Sequence, residues 1–369
     1  MKAAIACGGT GGHVYPGLAT AEELQRRGHD VTLWMTGRET ERPALQHWTG
    51  RVVEIPSKGF ASRSPLKIFK TLLALLEASR LARNQMRQDR PDVLLAMGSY
   101  ASAGPCRAAI ALGIPLVLHE ANVIPGRAVR FFAKRAAAVA VGFEETRHYL
   151  RRARVETVGI PLRADLSARA SQPTAPRDFN APPRLLVMGG SMGAHRLNEV
   201  AAQALVALTA RGGSVAVTHL TGARDEASVR AAYAAGGLTA DVRAFEPDMA
   251  SLLASADFAI CRAGASTCAE LALFGLPALL VPYPLAAKDH QTANAAALER
   301  RGAADRIAES ALDAAWLENY LAEMVHRPER IVRMREATRR NGLREGTSAL
   351  ADLVEQCAAQ HHATPPKSP

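Results

Sequence analysis

The chain has 369 residues and carries 45 Lys and Arg against 35 Asp and Glu, which gives a formal charge of +10. At roughly 150 residues per domain, this length predicts two domains, each with its own hydrophobic core. The composition excludes fibrous and disordered chains. The basic charge requires an anionic partner, for which nucleic acid, anionic lipid and a phosphorylated substrate are the alternatives.

The cysteines and the apolar stretches indicate the cellular compartment. Five scattered cysteines without CxxC spacing indicate neither a zinc site nor a disulfide framework, which fits a reducing cytoplasm. The apolar start before Gly8 is too short for a signal peptide. The apolar stretches 108–118 and 271–282 are interrupted and fall short of the ~20 residues that cross a bilayer. We therefore expect a protein that is soluble or attached to a membrane surface.

Short apolar runs alternate with helical patterns in both halves of the chain. The runs in the first half are 3–7, 31–35, 93–96 and 116–118. The alternation restarts in the second half, with runs at 184–188, 215–220, 258–260 and 278–281. This pattern predicts an α/β fold with two Rossmann-like parallel-sheet domains.

A polar, proline-rich stretch separates the two series and sets the expected domain boundaries. We expect an N-terminal domain at 1–166, a linker at 167–183 and a C-terminal domain at 184–341. A helix at about 342–358 is expected to complete the first domain. The last residues, 360–369, have the composition of a disordered tail.

Each half has a glycine-rich turn after its first strand, at Gly8–Gly12 and at Gly189–Gly193. Such a turn lets the backbone approach a ligand and directs helix N–H groups at an anion. Neither turn matches GxGxxG, and the chain has no GxxxxGK[ST] motif, so hydride transfer and P-loop ATP hydrolysis lose their main support. A purely structural tight turn is the alternative for each.

Two residues beside these turns are candidates for chemistry. His13 follows the first turn at the sheet edge where open α/β sheets bind ligands, so it is a candidate general base, with a structural histidine as the alternative. Glu270 lies one turn into the helix that follows the strand 258–260. Its carboxylate can accept hydrogen bonds from ribose hydroxyls, and stabilisation of the helix start is the alternative.

Two further polar segments follow strands. Asp289–Ala295 suits hydrogen bonding to sugar hydroxyls, and His119–Asn122 places polar groups at the carboxyl end of the first sheet. For the second segment, a buried capping network is the alternative to ligand binding.

Taken together, these segments resemble the MurG family of glycosyltransferases, which add N-acetylglucosamine to undecaprenyl-diphospho-muramoyl-pentapeptide in bacterial cell-wall synthesis. The matching residues run in order over nearly the whole chain: Gly8–His13 with Pro16-Gly17, Met97–Tyr100, His119-Glu120 with Asn122, Pro161 with Arg163, Gly189–Ser191 with Gly193-Ala194, Arg262–Glu270, and His290-Gln291 with Asn294-Ala295. One glycine turn would be weak evidence, whereas this ordered set is specific.

The resemblance implies a GT-B fold, in which two Rossmann-like domains face each other across a cleft. It implies an inverting, metal-independent transferase without a cofactor, which moves the sugar from UDP-N-acetylglucosamine to the muramoyl 4-hydroxyl and converts lipid I to lipid II. The implied location is the cytoplasmic face of the bacterial inner membrane, as a peripheral protein. The implied partners are an anionic membrane surface and cell-wall synthesis and division proteins, with no nucleic acid.

Residue roles carry over position by position. His13 is implied as the catalytic base. Donor contacts are implied for Thr10, Gly11, Gly12, Asn122, Arg163, Ser191, Phe245, Glu246, Arg262, Ala265, Ser266, Thr267, Cys268, Ala269, Glu270 and Gln291. The acceptor side is implied to include Tyr100, His119, Glu120 and Asn198.

The chain departs from the family pattern at a few positions. Ala121, Ile160 and Met192 replace Gln, Asn and Gln, and Glu246 replaces an aliphatic residue. Met192 and Ile160 remove polar groups near the predicted diphosphate, which would lower donor affinity. Because Ser191 and the backbone donors remain, we do not expect loss of activity.

Two other classes of function compete with this interpretation. A nucleic-acid-binding protein would explain the charge, but aromatic residues make up only 5% of the chain and no recognised binding motif is present. A UDP-sugar epimerase or another GT-B transferase shares the two-domain architecture and is the stronger alternative.

The segment 63–73 predicts a helix that contacts the membrane surface. Arg63, Lys67 and Lys70 fall near one side of it, and Leu66, Phe69 and Leu73 follow at spacings of three and four. Further cations are available from Arg127, Arg130, Lys134 and Arg135. The alternative is an ordinary amphipathic helix that packs Leu72, Leu75 and Leu76 on the sheet.

Overall fold

The computed structural model describes residues 1–56, 65–172, 181–190 and 193–363, and side chains are described throughout these ranges except at 65–68 and 362. The chain divides into two compact units, Met1–Arg163 with Arg344–Pro369, and Ala164–Leu343. The division precedes the predicted boundary after residue 166, because Ala164–Ala170 forms a helix that packs within the second unit. This helix also occupies the first part of the predicted linker.

Seven described strands of the first unit form one parallel sheet, in the order β3-β2-β1-β4-β5-β6-β7. They are β1 Lys2–Ala6, β2 Asp30–Met35, β3 Arg51–Glu54, β4 Val93–Ala96, β5 Leu116–Glu120, β6 Ala138–Val141 and β7 Val155–Thr157. Their continuous apolar character follows from burial on both faces, which parallel sheets require.

Helices cover both faces of this sheet. They are α1 Gly11–Arg26, α2 Pro65–Gln88, α3 Ala103–Ala111 and α4 Arg127–Phe132, with 3₁₀ turns at Glu39–Leu45, Ala133–Arg135 and Glu144–Tyr149. Alternate residues of β1 enter different clusters, since Ala3 and Ile5 pack with α1 while Ala4 and Ala6 pack with α2, α3 and α4. The two-residue period of a strand therefore builds one core layer on each side.

The second unit repeats the architecture with six described parallel strands in the order β10-β9-β8-β11-β12-β13. The strands are β8 Arg184–Met188, β9 Ala216–Leu220, β10 Ala240–Arg243, β11 Phe258–Cys261, β12 Ala278–Leu280 and β13 Ala304–Arg306. The helices are α5 Ala164–Ala170, α6 His195–Ala210, α7 Glu226–Ala235, α8 Met249–Ser255, α9 Ala265–Phe274, α10 His290–Arg300, α11 Ala314–His326 and α12 Pro328–Asn341, with 3₁₀ turns at Ala287–Asp289 and Glu309–Ala311.

The last helix, α13 Thr347–Ala363, belongs to the first unit. The returning chain pairs with the outgoing one, because the Ile160 N–H donates to the Arg344 carbonyl at 3.1 Å and the Gly346 N–H donates to the Ile160 carbonyl at 3.1 Å. Leu350 and Val354 of α13 then pack in the same cluster as β1 and α1. The helix includes the first four residues of the predicted tail, 360–363, and 364–369 lie outside the described residues.

The α/β class with two parallel-sheet domains is confirmed. Within the described ranges, no helix is long and apolar enough to cross a membrane. In the same ranges, no three His, Cys, Asp or Glu side chains are grouped so that they could hold a metal ion.

Candidate active site

The sheet of the first unit changes direction between β1 and β4. From β1 the next strand in sequence lies on one side, and from β4 it lies on the other. Open parallel sheets bind ligands at such a switch point, outside the carboxyl ends of the strands. The glycine turn 8–12 follows β1 there, and the segment Gly98–Tyr100 follows β4.

His13 lies in the first turn of α1, at this switch point. Its ring is half-buried, and Nδ1 is 2.9 Å from the Thr10 hydroxyl oxygen. The ring also lies over Gly98, since a Cβ built there would be 3.6 Å from His13 Nε2. The structure therefore brings Thr10, His13 and the 98–100 segment together, and Gly11 and Gly12 are exposed beside them.

His119 and Glu120 end β5 and are buried, so neither side chain lines an open surface. Burial lowers the pKa of His119 to about 4, so the ring is neutral near pH 7. Its Nε2–H donates to the Gly159 carbonyl at 3.3 Å. The Glu120 carboxylate accepts from the N–H groups of Asn122 at 2.9 Å and Gly126 at 2.7 Å. These contacts match the capping network that the sequence left open as the alternative to ligand binding.

Arg163 and Tyr100 are placed near this edge by cation–π contacts with residues that the sequence analysis missed. The Arg163 guanidinium lies 5.9 Å from the centre of the Tyr15 ring, and Tyr15 follows the glycine turn on α1. The Arg38 guanidinium lies 5.3 Å from the centre of the Tyr100 ring. Asn122 is half-buried behind the Glu120 carboxylate, to which its amide donates at 3.2 Å. No spacing in the sequence predicts the contact of Arg38 with Tyr100 or of Tyr15 with Arg163.

The second unit has its own switch point, between β8 and β11. The second glycine turn follows β8, and the segment 262–264 leads from β11 into α9. The N–H groups of the first turn of a helix have no acceptor within the helix, so the start of α9 presents donors at this edge. The predicted residues Ser191 and Met192 lie outside the described residues.

Burial divides the predicted donor segment at the start of α9 into two groups. Ser266, Thr267 and Glu270 are half-buried. Ala265, Cys268 and Ala269 are buried, and burial raises the pKa of the Cys268 thiol to about 12. Only the first group has side chains that are exposed enough to contact a donor.

Arg262 has structural partners around its guanidinium. It pairs with Glu309, donates to the Val281 carbonyl at 3.2 Å and lies 5.5 Å from the centre of the Tyr283 ring. The contacts of Arg262 with Val281 and Tyr283 hold the loop after β12. Because Glu309 balances its charge, Arg262 contributes little net charge to an anion. The same loop is tied to α10, since the Tyr283 N–H donates to the Gln291 side-chain oxygen at 2.9 Å.

The two residues predicted beside uracil follow the edge strand β10. The Phe245 side chain is 67% exposed, which fits a ring that stacks on a ligand. The Glu246 carboxylate pairs with Arg243 and accepts from the Asp248 N–H at 2.8 Å. Glu246 thus shapes the turn after β10.

Asn198, which is predicted on the acceptor side, is fully buried in α6. Its amide nitrogen donates to the Thr221 carbonyl at 2.8 Å and to Asp225 at 2.9 Å. Its oxygen faces His219 Nε2 at 3.2 Å, and His219 Nδ1 faces the Tyr233 hydroxyl at 2.8 Å. This buried network joins α6, β9 and α7 behind the second glycine turn. From the sequence alone, the polar residues of this network cannot be distinguished from residues that bind a ligand.

Comparison with known proteins defines the class to which this fold and site belong. Residues 3–141 match the glycosyltransferase family 28 N-terminal domain, and residues 184–355 match the glycosyltransferase family 28 C-terminal domain. The chain is therefore a two-domain glycosyltransferase.

Full-length relatives give the particular family. A protein of Acidithiobacillus ferrooxidans (strain ATCC 53993 / BNL-5-31), 40% identical over 361 residues, spans 96% of this chain and 97% of its own length. A protein of Geotalea daltonii is 36% identical and spans 95% of this chain and 96% of its own length. Both are named UDP-N-acetylglucosamine–N-acetylmuramyl-(pentapeptide) pyrophosphoryl-undecaprenol N-acetylglucosamine transferase.

A solved structure agrees with these relatives. The crystal structure of Acinetobacter baumannii MurG superposes with a TM-score of 0.79 at 29% identity, covering 96% of this chain and 99% of that one. The chain belongs to this family of N-acetylglucosamine transferases, and the resemblance identified in the sequence is confirmed.

Proposed function

We propose that this enzyme transfers N-acetylglucosamine from UDP-N-acetylglucosamine to the muramoyl 4-hydroxyl of undecaprenyl-diphospho-muramoyl-pentapeptide, which converts lipid I to lipid II in peptidoglycan synthesis. The observation that carries this proposal is the 40% identity over 96% of the chain to a transferase of that name. The arrangement of polar groups at both sheet edges supports it.

The donor is held mainly by the second unit. The Glu270 carboxylate accepts hydrogen bonds from the ribose hydroxyls, while the start of α9 directs Ser266 and Thr267 at the diphosphate. Phe245 offers an exposed ring to the uracil, and Gln291 lies at the start of α10, where it can reach the sugar. Helix N-termini supply partial positive charge where the departing diphosphate gains negative charge.

His13 acts as the general base. When Nδ1–H donates to the Thr10 oxygen, 2.9 Å away, Nε2 carries the lone pair that accepts the proton of the acceptor hydroxyl. The freed oxygen attacks the anomeric carbon from the face opposite UDP, the bond to UDP breaks, and the configuration inverts. Such general-base help contributes typically ~10²- to 10⁴-fold to the rate.

Product analysis tests the proposal. Purified enzyme is incubated with UDP-N-acetylglucosamine, with and without a lipid-linked muramoyl-pentapeptide acceptor, and the products are separated and weighed by mass spectrometry. We expect a disaccharide-linked lipid and UDP only when the acceptor is present. UDP-sugar isomerisation without acceptor would identify an epimerase, and sugar transfer only to other acceptors would identify a different transferase.

We also propose that α2 attaches the enzyme to an anionic membrane surface. Phe69 is 60% exposed, and Leu72, Leu73 and Leu76 are each nearly half exposed, at helical spacings that place them on one face. The exposure of Leu72 and Leu76 favours this proposal over the alternative, in which both pack on the sheet with Leu75, which is half-buried. Of the predicted cations, Lys70 is exposed, Arg63 lies outside the described residues and the Lys67 side chain is not described.

Vesicle sedimentation tests the attachment. We expect binding to anionic but not neutral vesicles, weakened by salt and lost when Phe69 and Leu73 are both changed to Ser. Leu81→Ser is the matched control, because Leu81 is 44% exposed on the same helix but lies about a third of a turn away from that face. Equal binding to both vesicle types, or full retention by the double variant, would refute this role of α2.

A further inference from the structure

Glu41 is a buried carboxylate that the mechanism above does not use. It lies in the 3₁₀ turn Glu39–Leu45 that follows β2, and its exposure is only 2%. A carboxylate in such a place requires hydrogen-bond donors, because burial without them is costly. The donors that surround Glu41 therefore indicate its role.

Four donors surround the Glu41 carboxylate. Oε1 accepts from the Gly9 N–H at 2.7 Å and from the Thr36 hydroxyl at 2.6 Å. Oε2 accepts from the N–H groups of Thr36 at 3.0 Å and Gly37 at 3.1 Å. The carboxylate thus joins the end of β2 to the glycine turn after β1.

The glycine turn is held closely against the end of β2. Gly9 has φ +129°, a conformation that favours glycine, and a Cβ built on Gly8 would lie 2.8 Å from the Thr36 nitrogen. The chain continues directly from Gly9 to Thr10 and His13, which share the 2.9 Å hydrogen bond. Any shift of Gly9 is therefore passed to the start of α1 and to the His13 ring.

Only a carboxylate satisfies these partners. Each Glu41 oxygen accepts from at least one backbone N–H, and a backbone N–H cannot accept in return. A glutamine side chain has the same shape, but in either orientation its NH₂ group faces a backbone N–H. The NH₂ group and the backbone N–H repel each other, which displaces either Gly9 or the Thr36–Gly37 segment.

We propose that Glu41 is a positioning residue for the transfer reaction, acting through Gly9 to fix the glycine turn that carries His13. This proposal rests on the proposed function and on His13 as its base. Because the Gly9 N–H is occupied by Glu41, it is not a donor to phosphate. The first glycine turn then holds the base.

Steady-state kinetics of Glu41→Gln test the proposal with UDP-N-acetylglucosamine and a lipid-linked acceptor. We expect kcat to fall at least tenfold while the KM for UDP-N-acetylglucosamine changes less than threefold, because the donor is held mainly by the second unit. Glu39→Gln is the matched control, since Glu39 is exposed in the same 3₁₀ turn and loses the same charge. It should keep wild-type kcat.

Protection of the buried Cys7 and Cys106 thiols from labelling shows that the first unit of each variant is folded. If Glu41→Gln does not fold, Glu41→Asp replaces it, because the shorter carboxylate keeps the charge but cannot reach all four donors, and kcat should fall severalfold. Unchanged kcat in the folded variant overturns the proposal alone. A raised donor KM with unchanged kcat also overturns it, by assigning the first turn to the phosphate. A wild-type enzyme that transfers no sugar overturns the proposed function and this proposal together.

Discussion

Acid should destabilise the second unit through the side chain of His219. Its ring is fully buried, and burial lowers its pKa from 6.5 to about 4, partly opposed by the Asp225 charge. Because Asn198 donates through its nitrogen, its oxygen accepts from His219 Nε2–H, and His219 Nδ1 accepts from the Tyr233 hydroxyl. Protonation at Nδ1 therefore removes the acceptor of Tyr233 and buries a charge.

The sign and size of the effect follow from the two pKa values. The unfolded chain binds the proton more readily, so the free energy of unfolding falls as the pH drops from 6.5 towards 4 and is unaffected well above 6.5. The full loss is about 3 kcal/mol at 1.36 kcal/mol per pKa unit. Between pH 7.5 and pH 5.0 the expected loss is about 2 kcal/mol.

Thiol labelling in urea measures this loss separately in each unit. Cys261 and Cys268 are buried in the second unit, and Cys7 and Cys106 are buried in the first. Unfolding curves are recorded at pH 7.5 and pH 5.0 with a reagent that reacts with thiols at both values, and peptides are assigned by mass spectrometry. This separation is needed because a two-domain chain does not unfold in a single two-state step.

The variant His219→Gln keeps hydrogen-bonding groups but does not titrate. We expect its second unit to lose about 2 kcal/mol less than wild type between the two pH values, whatever the substitution costs at pH 7.5. The first unit should keep its own acid response, to which the buried His119 contributes in the same direction. An acid loss of wild-type size in the second unit of His219→Gln would refute the reasoning.

Three further substitutions test the site and the fold. Glu270→Ala should raise the donor KM at least tenfold, since hydrogen bonds to a charged group are worth roughly 1.5–3 kcal/mol each; an unchanged KM in the folded enzyme contradicts its role at the ribose. His13→Ala should lower kcat about a hundredfold or more with UDP binding nearly unchanged in calorimetry, and turnover within a few-fold of wild type would exclude His13 as the base. Gly193→Ala should lower the free energy of unfolding by roughly 3 kcal/mol or more in urea, because its φ is +72° and a Cβ would lie 2.2 Å from the Thr221 carbonyl oxygen. Gly212→Ala is its control, with φ +83° and open space around the Cβ, and should cost only about 1 kcal/mol; equal losses would show that the contact with Thr221 is unimportant.

The two sheets were predictable because their strands are continuous apolar runs that alternate with helical patterns. The glycine turns and the segment before α9 were also visible, since each follows a strand and opens a helix. For His119 and Glu120 the sequence left ligand binding and a capping network open, and the buried network of Asn198 was not visible. A polar residue at the carboxyl end of a strand reads the same in sequence whether it faces a ligand or a buried backbone N–H, and only the fold shows which partner it meets.

Glu41 illustrates the other kind of omission. It stands in a charged stretch with Arg38, Glu39 and Arg42, which has the composition of an exposed loop. Its burial arises because β1 and β2 are neighbours in the sheet, which brings residues 9 and 41 together across the connection. Contacts of this kind depend on strand order, which local patterns do not encode.

The return of α13 to the first unit determines when that unit can finish folding during synthesis. Leu350 and Val354 close the face formed by β1 and α1, yet the ribosome makes them only after all of Ala164–Leu343. At ~5–20 residues per second, roughly 10 to 40 s separate the last residue of the outgoing segment from the returning one. The second unit can therefore be complete while an apolar face of the first is still open to water and to chaperones. The nascent enzyme depends on its last helix to close the domain that it began first.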